Sequence, residues 1–406
     1  MAPGPAIVAA VPDLISISEA VELVLARVRP LAAERVPLDA AAGRYVAEAA
    51  HSLVDLPPFP ASAMDGFALR SEDTPGRLPI AGRIVTGTPS PDVLAAGQTI
   101  GISTGGVVPD GADAVVPVEL VTEEGDTLVV PKAVVGGDNI RPRGGDLAAG
   151  DVVVAPGTRL GPAHVGALAA GGVPEVAVGR RPRVCVLVTG SELQAPGTPL
   201  GPGQIYDANG SILAAQLSAA GAEVERLPPV RDDEEATFAA IKRGLEADVL
   251  ITTGGVSVGV HDLVRSAEAQ LGVEEIFWRV AMRPGKPIAF GVRGSTLVFG
   301  LPGNPVSSLV GFELFVRPAL LALQGATNPH PEFLPGRLVR GSKRVAERDS
   351  LIRARRTVRD GEVLLEPLSG QDSHMIARAA TADALVLVPR GDGVLEAGSA
   401  VEFLPL

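Results

Sequence analysis

Arg183-Val-Cys-Val-Leu-Val-Thr-Gly-Ser-Glu-Leu193 decides the fold of this chain. From Val184 to Thr189 it is a continuous apolar run rich in β-branched side chains, and Gly190 stops it. Such a run, bounded by glycine, reads as a strand buried on both faces. Working outward, Asn209 to Ala220 has helical spacing and ends at Gly221, which suits a left-handed cap. Val224 to Val230 reads as a second strand, with Asp232 and Asp233 as candidate N-caps of a helix through Leu245. Val249 to Thr253 makes a third strand, and Asp262 to Leu271 a further helix. Strand and helix alternating in this way predict a parallel sheet with crossover helices, a doubly wound α/β unit. Ligands of such sheets sit beyond the carboxyl ends of the strands. Gly190-Ser191-Glu192 and Gly254-Gly255 both fall there.

The 406 residues allow two to four domains, and 46% apolar content fits a globular chain. Glycine (48) and proline (36) together stay below the fraction that marks disorder, so turn-rich β modules account for them. A net charge of -12 argues against general nucleic-acid binding. Cys185, the only cysteine, lies inside an apolar run, which leaves no disulfide framework and no thiolate metal site. No apolar run approaches the ~20 residues needed to span a bilayer, and no basic segment opens a secretory signal. A cytoplasmic protein without membrane contact is expected.

Residues 1–12 read as a frayed tail. Ser16-Ile-Ser-Glu19 forms a capping box for a helix stopped by Pro30. Asp55-Leu-Pro-Pro-Phe-Pro60 must be extended. From there to about Val135 short alternating runs separated by Gly, Pro and Asp predict a small β module. Helical material on both sides makes that module an insertion. The expected division is 14–56 with 141–180 as a discontinuous first domain, 57–140 as the inserted β domain, 181–328 as the α/β domain and 329–406 as a C-terminal β barrel. The last α/β helix should start at Asn304-Pro305 and run through Leu321. Asp360-Gly361 should turn a hairpin in the barrel.

Several motifs could carry chemistry. Gly254-Gly255, between strand and helix, can offer backbone N–H groups to an anion, or can be only a tight turn. Gly255-Val-Ser257-Val-Gly259 matches a nucleophile elbow, with His330 and His374 downstream as candidate partners of a serine hydrolase. Arg279, Arg283 and Lys286 crowd a Pro-Gly turn in an acidic protein, which points to an oxyanion or to a solvated basic face. Pro302, Asn304 and Ser307 place donors at a helix start, for an anion or for capping alone. Asp65, Glu192, Asp207, Asp232 and Asp262 each sit in turn-rich sequence, where capping is the commoner job. Carboxylates beside anion-binding loops would repel an anionic substrate unless a divalent ion such as Mg²⁺ bridged them.

Taken in order, Ser62-Ala-Met-Asp65-Gly-Phe-Ala, Ile102-Ser-Thr104-Gly-Gly, Thr189-Gly190-Ser191-Glu192-Leu, Gly203-Gln-Ile-Tyr-Asp207-Ala-Asn, Thr253-Gly-Gly-Val-Ser257-Val-Gly with Asp262, Arg283-Pro-Gly-Lys286-Pro and Leu301-Pro-Gly-Asn-Pro-Val-Ser307 resemble the MoeA family, molybdopterin molybdenumtransferases related to the gephyrin E domain. The resemblance implies four domains, an elongated homodimer, and insertion of molybdate into adenylylated molybdopterin with release of AMP, assisted by Mg²⁺. By motif position it implies activity roles for Asp65, Thr104, Glu192, Asp232, Asp262 and Lys286, with Asp232 and Asp262 as the metal pair. Arg283, Lys286 and Ser307 match oxyanion-binding positions, and Arg353 and Ser373 match C-terminal contributors. Asp372 stands where the family usually has glycine. Transient contact with a molybdopterin adenylyltransferase or with molybdoenzymes, or a non-enzymatic scaffold role, is compatible with the same resemblance.

Overall fold

The computed structural model describes residues 14–85, 87, 93–231, 233–254 and 263–406. The chain divides into two compact units, one holding residues 14–34, 43–45 and 178–406 and the other 35–42 and 46–177.

In the first unit the quoted stretch is strand β1 (Arg183–Val188), and all of it after Arg183 is buried. Then follow α1 (Asn209–Ala219), β2 (Glu223–Arg226), α2 (Glu234–Gly244), β3 (Val249–Thr253) and α3 (Leu263–Gln270). Strands β4 (Glu274–Trp278), β5 (Ala289–Arg293) and β6 (Thr296–Leu301) lead into α4, the helix Pro305–Leu323. The sheet order is β2-β1-β3-β6-β5-β4. Its first four strands are parallel, while β5 runs antiparallel to both β6 and β4. The parallel sheet expected from the strand–helix alternation is found in these four strands, and an antiparallel pair is added at one edge. The link from β5 to β6 is only Gly294-Ser295, too short for a parallel crossover and sufficient for a hairpin.

Alternation along β1 builds two layers. Val184, Val186 and Val188 join a core with Leu213 and Leu217 of α1 and the inner face of α4, while Cys185 and Leu187 join Ile241 of α2 and Val264 of α3. The unit is thus doubly wound, as expected. Asp233 caps α2 by accepting the Ala236 N–H at 2.7 Å. The second strand is shorter than expected, because Pro228 and Pro229 cannot donate to the ladder. The 19-residue α4 is long and apolar enough to cross a bilayer by length and composition alone, and most of it is buried in the core. Glu313 and Arg317 interrupt its apolar run and pair with each other at 2.5 Å. Phe312–Val316 is a π-helical segment within it.

The C-terminal strands β7 (Leu334–Leu338), β8 (Asp349–Arg359), β9 (Glu362–Pro367), β10 (Ala384–Val388) and β11 (Ala400–Pro405) close as β8-β9-β7-β11-β10-β8, a five-stranded barrel. Asp360 and Gly361 both take positive φ (53° and 80°) at the β8–β9 hairpin, as their sequence predicts. Leu351, Leu385 and Leu404 of the barrel pack into the same core as α4 and β1.

The second unit holds a six-stranded sheet, ordered Ala114–Pro117, Gly66–Leu69, Thr99–Ile102, Gly76–Ile84, Thr127–Val130, Thr122–Glu124. Helix Pro162–Ala170 and the pair Ala50–His51 with Val152–Val154 belong to the same unit.

Candidate functional site

Three parallel strands of the first unit end in one row. Val188 is in register with Thr253, and Thr253 with Leu301. The turns that follow carry Thr189-Gly190, Gly254 and Pro302-Gly303. Gly254 has φ +90°, and a Cβ there would lie 2.5 Å from the Thr189 carbonyl oxygen. The chain after β3 can therefore turn only with glycine. Beyond these turns lies a cavity of about 420 Å³, lined among others by Gly190, Glu192, Tyr206, Asn209, Gly254 and His374. It sits where the chain, having crossed from β1 to β2, switches to β3 on the other side, the position at which open α/β sheets bind ligands.

Polar side chains brace this row. Asn209, in the first turn of α1, donates from Nδ2 to Thr253 Oγ1 and to the Gly303 carbonyl, both at 2.8 Å. Thr253 Oγ1 donates to the Pro302 carbonyl at 3.1 Å. Asp207 is buried; one carboxylate oxygen accepts the Gly210 N–H at 2.8 Å and the other accepts Arg226 at 3.0 Å. Its carboxylate therefore orders the start of α1 at the cavity wall. Glu192 is exposed beside Gly190 on the rim, with Ser191 exposed next to it. Glu192 is an oxygen donor of the kind Mg²⁺ takes. Asp232, Asp262, Gly255 and Ser257 lie outside the described residues, and so does the nucleophile elbow. Of its suggested histidines, His330 pairs with Glu22 at 3.1 Å, while His374 lines the cavity.

The cationic segment lies at the same edge of the sheet. β4 runs in the direction of β6, so Arg279, directly after β4, is about two strand spacings, roughly 10 Å, from the end of β6. The segment is closed by Arg279 N–H to the Ile288 carbonyl (3.0 Å) and Val280 N–H to the Lys286 carbonyl (2.9 Å). Arg279 takes φ +91°, rare for a side-chain-bearing residue. Arg283 sits in the short strand Met282–Arg283 beside Asp349 and Ser350 of β8, and both Arg283 and Lys286 are exposed. Among the described residues none of Arg279, Arg283 and Lys286 has a carboxylate partner within ion-pair distance.

Ser307 is buried in the first turn of α4. Asn304 occupies the N-cap position without a side-chain capping bond, which leaves first-turn N–H groups to other partners. One of these, Val306 N–H, donates to the Ser373 carbonyl at 3.0 Å, so the barrel loop reaches the start of α4. Arg353 of β8 is 1% exposed and holds that loop from below. Its guanidinium donates to the carbonyls of Gly370 (2.9 Å), Asp372 (3.1 Å) and Met375 (2.9 Å). Burial lowers its pKa, partly offset by Asp372. Sequence reading did not single out Asn209 or Thr253 as site residues, and it raised His374 only as a candidate partner of the serine elbow. Asn209 and Thr253 lie inside quoted motifs, but only the fold shows that they tie strand ends together.

In the second unit, Asp65 and Thr104 are brought together, Thr104 N–H donating to Asp65 Oδ1 at 2.7 Å, and both are exposed. A Cβ at Gly66 would lie 2.1 Å from the Val116 carbonyl oxygen, which accounts for glycine after Asp65.

A doubly wound domain with a strand-end cavity, followed by a small barrel that reaches it, defines a multidomain ligand-binding α/β protein. The chain belongs to the MoeA family. Family models match it as "MoeA N-terminal region (domain I and II)" over residues 15–172, "Probable molybdopterin binding domain" over 185–322 and "MoeA C-terminal region (domain IV)" over 335–406. A protein of Synechococcus elongatus named Molybdopterin molybdenumtransferase is 37% identical, covering 97% of this chain and 100% of that one. One of the same name from Staphylococcus aureus is 31% identical over 96% of this chain and 95% of its own length. The crystal structure of a molybdopterin biosynthesis MoeA protein from Pyrococcus horikoshii OT3 superposes with a TM-score of 0.83 at 28% identity, covering 97% and 100% of the two chains.

Proposed function

We propose that the protein is a molybdopterin molybdenumtransferase that inserts molybdate into adenylylated molybdopterin and releases AMP. The observation that carries this is the pairing of an in-register row of strand ends lining a cavity with three cations, unpaired by carboxylates among the described residues, at the same sheet edge. Backbone donors and glycine turns suit a nucleotide phosphate. Arg279, Arg283 and Lys286 suit a tetrahedral dianion, and the Ser307 hydroxyl in the first turn of α4 is a further candidate donor. Cys185 is buried, so thiolate ligands for the metal come from the pterin rather than the protein. Glu192, Asp232 and Asp262 would hold Mg²⁺, whose contribution is to neutralise the phosphoanhydride. Arg353 and the loop through Ser373 keep the barrel side of the site in place, and Asp65 and Thr104 form a second group whose role is activity-related by motif position. We also propose a cytoplasmic homodimer and the four-part division 14–56 with 141–180, 57–140, 181–328 and 329–406, which the matched family regions support.

The test is AMP release from adenylylated molybdopterin with molybdate and Mg²⁺. Molybdate-dependent release is expected, and none under those conditions overturns the proposal. Lys286→Ala should raise the half-saturating molybdate concentration about tenfold or more, with pterin-nucleotide binding nearly unchanged.

A further inference from the structure

The three cations of the oxyanion segment are not held alike. Arg283 and Lys286 are exposed, whereas the Arg279 guanidinium lies over the face of Trp278, 3.8 Å from the ring centroid. A second partner is Arg265 of α3, whose guanidinium carbon is 4.3 Å from the centroid of the same ring. Arg265 is in turn fixed by Glu275 through bonds of 3.0, 2.9 and 2.7 Å. One indole thus contacts two guanidiniums, and among the described residues only that of Arg265 is neutralised by a carboxylate. Arg279 also adopts φ +91°, a strained backbone for arginine that persists only where surroundings over-determine it. Trp278 Nε1 is buried with no protein partner among the described residues, so the ring is placed by stacking rather than by a hydrogen bond of its own.

We infer that Trp278, backed by Arg265 and Glu275, is a positioning residue that sets Arg279 for the oxyanion. Tethering by an aromatic face fixes a guanidinium without spending its donors or its charge, as a carboxylate partner would. Among the described residues no acceptor takes the guanidinium donors of Arg279, which leaves them for a tetrahedral dianion. Placement in advance lowers the entropy cost of binding. The stack links α3 to the cationic segment. This inference rests on the oxyanion reading of the segment.

Half-saturating molybdate and half-saturating pterin nucleotide in the AMP-release reaction, measured for the wild type, Trp278→Leu, Trp278→Phe and Arg265→Gln, test it. Trp278→Leu should raise the molybdate value about 3–30-fold, the range of a lost cation–π contact, and leave the nucleotide value within about twofold. Trp278→Phe, which keeps a face, should recover most of the loss, and Arg265→Gln should show a smaller rise of the same kind. If Trp278→Leu does not fold, Arg265→Gln decides. A wild type without molybdate-dependent release removes the underlying reading. A responsive wild type with unmoved molybdate values in the variants overturns the positioning role alone. Trp278 is also the only tryptophan in the chain, so its emission gives a readout without turnover. A saturable change on adding tungstate should disappear in Arg279→Gln, and an identical titration in that variant contradicts the coupling.

Discussion

At the scale of single residues, two positions expose how tightly the α/β unit is built. Gly254 combines a left-handed φ with a carbonyl contact that excludes any Cβ. Gly254→Ala should therefore cost on the order of 1–3 kcal/mol, read as a lower urea midpoint, and an unmoved midpoint would contradict the geometry. Cys185 reports on the opposite layer. Burial pushes its thiol up to about 11 from 9.0, with Glu225 adding to the rise and Arg243 opposing it. A raised folded value means the native state keeps the proton, so this stabilisation is complete below about pH 9 and is lost as pH climbs toward 11. Relative to Cys185→Ala, wild-type stability should fall by roughly 2–3 kcal/mol across that window. Parallel pH profiles for the two proteins would contradict a buried neutral thiol.

At the scale of elements, the doubly wound core was legible in the sequence because β1 and β3 are apolar on both faces and glycine ends them. Strand direction was not. Apolar periodicity is the same in parallel and antiparallel strands, so β4 and β5 could be recognised as antiparallel only from their connections. The strand Gly66–Leu69 also escaped, being four residues that open on glycine. Asn304-Pro305 marked the start of α4 correctly, yet the expected capping bond is absent there. The barrel loop supplies one partner instead, from residues about 70 positions away in sequence. Arg353 was legible as a site candidate by motif, but its donors are aimed at the loop carbonyls, a fact that only packing reveals. Arg353→Met should leave those carbonyls without their donors. Hydrogen exchange over residues 368–375 should then rise at least severalfold over the wild type, with the β3 and β6 amides unchanged. Equal protection of the loop in both proteins would remove Arg353 as its anchor.

At the scale of the whole molecule, the proposed function draws on residues far apart in sequence that the fold brings to one sheet edge. Gly190, Gly254 and Gly303 follow three neighbouring parallel strands of the sheet, Arg279 to Lys286 come from its antiparallel margin, and Ser373 and His374 from the barrel. An acidic chain of net charge -12 keeps these cations without carboxylate partners among the described residues, which concentrates attraction for a dianion at that edge. Crystals soaked with molybdate and AMP, measured with anomalous scattering from molybdenum, test this account most directly. The metal peak should lie within hydrogen-bonding reach of Arg283 and Lys286, with the AMP phosphate over the turns at Gly190 and Gly254. A molybdenum peak bound elsewhere, with that edge of the sheet unoccupied, would contradict it.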